Sequence, residues 1–163
     1  MTSTPVVPDD AGGRERIPIA ADHAGFAMKE QLKRELEALG YEPVDLGARS
    51  EEASDYPEFA HAVAEQVSKG EARRGVLLCG SGIGMDIVAN RHSGVRAALA
   101  WEPAIAELSR RHNDSNVLVL PSRFMSADDA AAALKVWLKT GFEGGRHQRR
   151  VDKIEPPPEA ARK

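Results

Sequence analysis

The chain has 163 residues, enough for one domain with a full hydrophobic core. With 42% hydrophobic and 29% charged residues it has the balance of an ordinary soluble protein, and a net charge of −3 with a pI near 6.0 counts against a nucleic-acid binder, which carries a basic surplus. No apolar run approaches the roughly 18 residues of a membrane span, no charged-then-apolar signal peptide opens the chain, and the single cysteine cannot form an internal disulfide, so a cytoplasmic location is expected.

Residues 1–16 are rich in Pro, Asp, Gly and Thr and read as a disordered leader. The core domain spans 17–154, and the proline-containing tail 155–163 is expected to be loose. Within the core, strand-like runs alternate with helical patterns. A strand at 17–21 ends at Asp22-His23, and Pro18, which lacks a donor, is expected at its first residue. Helical spacing over 26–39 stops at Gly40. A weak strand at 43–46 precedes a helix over 56–69, with Asp55 as its cap and Gly70 as its stop. The apolar run 75–79 is the strongest strand, and a helix over 84–91 leaves the glycine loop after it. A strand at 95–100, a helix over 103–111 with proline in its first turn, a strand at 117–120 and an Ala-rich helix over 126–139 complete the pattern. Such alternation predicts an α/β fold: a Rossmann-like three-layer αβα sandwich around a five-stranded parallel sheet, with the site at the carboxyl ends of the strands.

Several groups fall at those ends. Cys79 opens onto Gly80-Ser81-Gly82-Ile83-Gly84, where loop amides and a helix N-terminus favour a thiolate and an anion. The plainer reading is a small buried residue that ends a strand. A dinucleotide site fits poorly, because the third glycine of that fingerprint falls at Met85. Asp22 and His23 have the chemistry to bind sugar hydroxyls or move protons, and Asp22 also suits a helix cap. His112, at a helix C-terminus, is either a dipole partner or an acid–base group. Arg146, Arg149 and Arg150 suit phosphate capture or a solvated basic face, and Arg123 follows the last strand. His61 and His92 read as structural or solvated.

Taken in order, Asp22-His23-Ala24-Gly25, Asp55-Tyr56-Pro57, Cys79-Gly80-Ser81-Gly82-Ile83-Gly84, Ala89-Asn90, His112-Asn113-Asp114, Asn116-Val117-Leu118 and Gly144-Gly145-Arg146-His147-Gln148-Arg149-Arg150-Val151 resemble the ribose-5-phosphate isomerase type B family. That family also contains the galactose-6-phosphate isomerase subunits and isomerases of other pentose, hexose and tetrose phosphates. The resemblance covers nearly all of 17–154. It implies interconversion of ribose 5-phosphate and ribulose 5-phosphate through a cis-enediolate, with no metal or organic cofactor. It also implies a homodimer, or a tetramer of paired dimers, with active sites shared between subunits.

By the same resemblance, Cys79 carries the proton between C2 and C1, and Gly80, Ser81, Gly82, Ile83 and Gly84 form the anion hole. His112 opens the ring, Asp22 assists at the ring oxygen and Asn113 contacts the intermediate. His23, Arg123, Arg146 and Arg150 line the phosphate site, and Tyr56 borders the sugar. His112, Asn113 and Arg123 are expected to serve the partner subunit's thiol. Three departures stand out: Met85 occupies the place where family members without this cysteine carry a glutamate, Asp86 follows it, and Leu120-Pro121-Ser122-Arg123 replaces a glycine-containing run, which is expected to shift Arg123. The other readings are an isomerase of allose 6-phosphate, galactose 6-phosphate or a tetrose phosphate, and a non-catalytic nucleotide-binding or partner subunit.

Overall fold

In the computed structural model, which describes residues 13–158, strands β1 (Arg16–Ala21), β2 (Glu42–Asp45), β3 (Gly75–Cys79), β4 (Ala97–Leu99) and β5 (Val117–Pro121) form one parallel sheet in the order β2-β1-β3-β5-β4. Helices α1 (Phe26–Ala38), α2 (Tyr56–Ser68), α3 (Ile83–Ala89), α4 (Pro103–Asn113), α5 (Ala127–Lys139) and α6 (Gln148–Val151) follow in chain order. No described helix is long and apolar enough to cross a membrane.

The central strands β3 and β5 are apolar and buried throughout because both of their faces are covered. Alternate residues sort to opposite sides. Ile17, Ile19, Val76, Leu78, Leu118 and Leu120 pack with Leu32 and Leu36 of α1 and with Leu134 and Trp137 of α5. Ala20, Leu77, Cys79, Val117 and Val119 pack with Val63 and Val67 of α2 and with Met85 and Ala89 of α3. Met85 is fully buried, which rules out a close backbone approach at the third position of a dinucleotide loop.

Pro18 is the third residue of β1, not the first. Pairing with β3 begins only at Ile19↔Val76, so the missing N–H interrupts no bond of that ladder. Helix stops at Gly40 and Gly70 hold, both in the left-handed region. Ser126 caps α5 through the Asp129 N–H, whereas Asp55 makes no side-chain cap. The ordered chain begins before residue 17: Glu15 pairs with Arg74 at 2.6 Å, and residues 1–12 of the expected leader lie outside the described part. Glu155, assigned to the loose tail, accepts from the Gly94 N–H at 2.7 Å, and residues 159–163 lie outside the described part.

One buried charge breaks the apolar pattern. Lys29 falls on the core face of α1 beside Leu32, and its ammonium donates to the Asp45 carboxylate at 2.7 Å and to the Ala48 carbonyl at 2.6 Å. Burial works to raise the Asp45 carboxyl, but hydrogen bonds from Lys29, Lys33 and the Gly47 N–H outweigh it and hold it at about 2.

Candidate active site

Chain order reverses between β1, which leads outward to β2, and β3, which leads the other way to β4. Ligand crevices of open α/β sheets form at such a point. Asp22 follows β1, Cys79 ends β3, and Pro121 ends the next strand, paired with Cys79 in register. A cavity of about 350 Å³ opens there, lined by Asp22, His23, Tyr56, Cys79, Gly80, Ser81, Gly84, Arg123 and Phe124.

Main chain holds most of these groups. Asp22 is buried and accepts from the Ala24 and Gly25 N–H groups at 3.0 and 3.2 Å, so the capping role is real. His23 is fixed by Ser54, whose N–H donates to His23 Nδ1 at 3.2 Å while its hydroxyl accepts from the His23 N–H at 3.1 Å. Ser54 went unnoticed in the sequence, since a serine 31 positions away carries no local signal. Gly82 sits at φ +75°, which turns the loop into α3. A Cβ on Gly84 would lie 2.5 Å from the Tyr56 ring, so glycine there lets the tyrosine border the cavity.

Cys79 is 5% exposed. Burial pushes its thiol up, and the Asp22 charge adds to this. Backbone N–H groups of Met85, Gly82 and Ser81 work in the other direction. Burial wins and the thiol lies above its ordinary value, with three amide donors facing the sulfur. Behind the loop, burial drives the Asp86 carboxyl up to about 6, against the Leu99 N–H, and its Oδ1 has no hydrogen-bond partner.

Past Pro121, hydrogen bonds tie the chain to the glycine loop. The Ser122 N–H donates to the Cys79 carbonyl at 2.9 Å, and its hydroxyl lies 2.9 Å from the Ala24 carbonyl and 3.1 Å from that of Cys79. The Arg123 N–H then donates to the Gly80 carbonyl at 3.0 Å, placing the guanidinium in the cavity of its own Cys79. The expectation that Arg123 serves a partner's thiol is therefore corrected, because strand pairing of β3 with β5 ties residue 123 to this loop.

His112, Asn113, Arg146 and Arg150 meet elsewhere. With His147, Val151 and Ile154 they line a second cavity of about 370 Å³, which shares no residue with the first. α4 ends at His112-Asn113 because Asp114 takes the left-handed conformation at φ +48° and accepts from Arg96 and Arg110. The His112 ring stacks on His147, with centroids 4.3 Å apart. Away from both cavities, His61 and His92 contact each other at 2.7 Å.

A family model described as Ribose/Galactose Isomerase matches residues 17–154. The chain belongs to the ribose/galactose isomerase family. This family member is 43% identical over 140 residues to ribose-5-phosphate isomerase B of Escherichia coli, covering 86% of this chain and 94% of that protein. The crystal structure of a ribose 5-phosphate isomerase from Thermotoga maritima is 48% identical and superposes with a TM-score of 0.83, covering 86% of this chain and 97% of that one. A ribose-5-phosphate isomerase B of Mycoplasma genitalium with bound ribulose-5-phosphate is 42% identical with a TM-score of 0.82, covering 85% of this chain and 93% of that one. The αβα sandwich with five parallel strands is thus the fold of the family.

Proposed function

We propose that this chain is an aldose–ketose isomerase that interconverts ribose 5-phosphate and ribulose 5-phosphate without a cofactor. The observation that carries the reading is the buried thiol of Cys79 at the floor of a crevice, faced by three amide donors and flanked by Asp22 and His23. High identity to ribose-5-phosphate isomerases over nearly the whole core supports the substrate.

The chemistry follows from the residue types. His112 takes the proton of O1 as the C1=O1 bond forms, and the ring C1–O4 bond breaks with a proton delivered to O4, assisted by Asp22. Cys79, as thiolate, then removes the C2 proton. The electron pair forms the C1=C2 bond and leaves negative charge on O1, where fixed donors of the glycine loop stabilise it. Returning the proton to C1, with loss of the O2 proton and reprotonation of O1, yields the ketose. His23, Arg123, Arg146 and Arg150 hold the phosphate so that C2 meets the sulfur.

Within one chain the thiol and the ring-opening histidine line separate cavities, so we infer a homodimer, alone or paired into tetramers, in which each site joins the Cys79 cavity of one subunit to the His112 cavity of the other. Exposed apolar groups near the loop support this: Phe124 is 72% exposed, and Ile83 and Ile87, one turn apart on α3, are 55% and 52% exposed. A lone buried cysteine also fits the reducing cytoplasm.

The test is a cofactor-free assay of the purified protein on ribose 5-phosphate, allose 6-phosphate, galactose 6-phosphate and erythrose 4-phosphate, with Cys79→Ala alongside. Ribose 5-phosphate is expected to give the highest kcat/KM, and the variant to be inactive. Absence of turnover on all four sugars would refute the isomerase reading, and a different preferred sugar would replace the substrate.

A further inference from the structure

His147 has no part in the steps above, yet its placement is costly. The residue is 6% exposed, and its Nε2 is buried without a hydrogen-bond partner. A buried polar group left without a partner is destabilising. The Glu143 carboxylate, at Oε2, is 3.6 Å away. Glu143 is turned toward Arg111, which donates to Oε1 at 2.5 Å and whose carbonyl accepts from the Glu143 N–H at 3.1 Å.

His112, Glu143 and His147 bring potential ligand atoms within 4.8 Å of one another, a donor set that suits zinc. The two imidazole planes, however, lie within 13° of parallel. Nitrogen lone pairs lie in the ring plane, so those of stacked rings run side by side and do not converge on one ion. The arrangement is a stack and not a chelate.

A stack has a different use. Among the described residues no hydrogen bond holds the His112 ring, and its contact with His147 is what sets its plane. Burial, followed by the charges of His112, Arg146 and Arg150, keeps His147 below the usual histidine range, against the upward pull of Glu143. An uncharged ring under His112 adds no second imidazolium when His112 takes a proton.

We propose that His147 is a positioning residue for ring opening: by stacking on His112 it fixes the plane in which that imidazole takes the sugar's proton and gives it back. This rests on the assignment of His112 to ring opening in the proposed function. Orientation of this kind governs rate steeply, since a misplacement of about 1 Å costs on the order of 100-fold.

Two reactions separate this role from a structural one. Ribose 5-phosphate is a closed furanose and must be opened. Ribulose 5-phosphate carries phosphate on O5, cannot close a five-membered ring, and exchanges its C1 proton with solvent through Cys79 alone. In His147→Ala, turnover of ribose 5-phosphate is expected to fall about 10- to 100-fold, while deuterium wash-in at C1 of ribulose 5-phosphate stays within about twofold of wild type. His147→Phe, which keeps a flat ring and removes the orphan nitrogen, is expected to restore ribose 5-phosphate turnover to within about threefold. An equal loss of both reactions in His147→Ala, no loss in either, or a Phe variant as slow as Ala would overturn the proposal. Cys79→Ala serves as the control: its loss of both reactions is required by the proposed function, and survival of exchange there would count against that function and not against His147.

Discussion

Around Cys79 the reactive groups are held by main chain. Asp22 and Cys79 sit at the ends of adjacent strands, loop amides face the sulfur, and Ser122 joins the ends of β3 and β5 to the turn after β1. Around His112 the groups come from the end of one helix and from a short turn and helix near the C-terminus, and side chains hold them: a ring stack and the Arg111–Glu143 pair. The difference matches two tasks. Proton transfer to carbon needs placement to a fraction of an ångström, which a packed sheet provides. Under the proposed function, phosphate capture asks less of the arginines, because a charged fork finds an anion from several directions.

The comparison is broken most severely at the sulfur. Cys79→Ala is expected to lower kcat by about 10³-fold while phosphate binding and the folded state survive, as steady-state kinetics and circular dichroism will report. Retention of near-wild-type turnover would remove the thiol from the mechanism. Next comes the division of the site between chains. Cys79→Ala and His112→Ala are each expected to be inactive alone; after unfolding and refolding together, random pairing makes half the dimers hybrid with one of two sites intact, so about a quarter of wild-type activity is expected to return. No recovery on mixing would mean that each chain works by itself.

Arg150→Ala tests the exposed wall. Loss of one charge-assisted contact is expected to raise KM for ribose 5-phosphate about 10- to 100-fold with a small change in kcat. The thiol sets the pH response. Because burial holds Cys79 protonated, kcat/KM is expected to climb by nearly tenfold per unit as pH rises through neutrality toward the thiol's raised value, and a flat profile there would contradict a thiolate base.

The smallest effect lies behind the loop. Asp86 titrates near 6 in the folded protein, against about 3.9 in an unfolded chain. A carboxyl raised on folding contributes stability that is present below the unfolded value and lost as pH rises through the folded one. Asp86→Asn is therefore expected to raise Tm by roughly 3–6 °C above pH 6 and to give no gain below pH 4, as thermal melts across that range will check.

The sheet was legible because its punctuation is local. Gly40 and Gly70 bound helices through their own backbone preferences, Ser126 does so through its side-chain cap, and the apolar run 75–79 announces a buried strand. The Cys79 loop was legible for the same reason. Partnerships across long separations were not. The Ser54 clamp on His23 and the stack of His147 on His112 depend on loops that return after 31 and 35 residues, and nothing in either segment alone encodes them. Arg123 lies beside its own thiol because its position is set by the pairing of β5 with β3, a tertiary fact, and Ser122 ties the Pro121 end of β5 to Cys79.

Two cavities that share no residue within one chain have an evolutionary consequence. If each site joins one wall from each subunit, a homodimer carries two copies of an identical site. After gene duplication, one copy is free to lose the thiol wall and the other the histidine wall while their mixed dimer keeps one complete centre. The defective walls are then released from selection for the original sugar, and this architecture gives a short path from a self-paired isomerase to an obligate two-gene enzyme with an altered substrate.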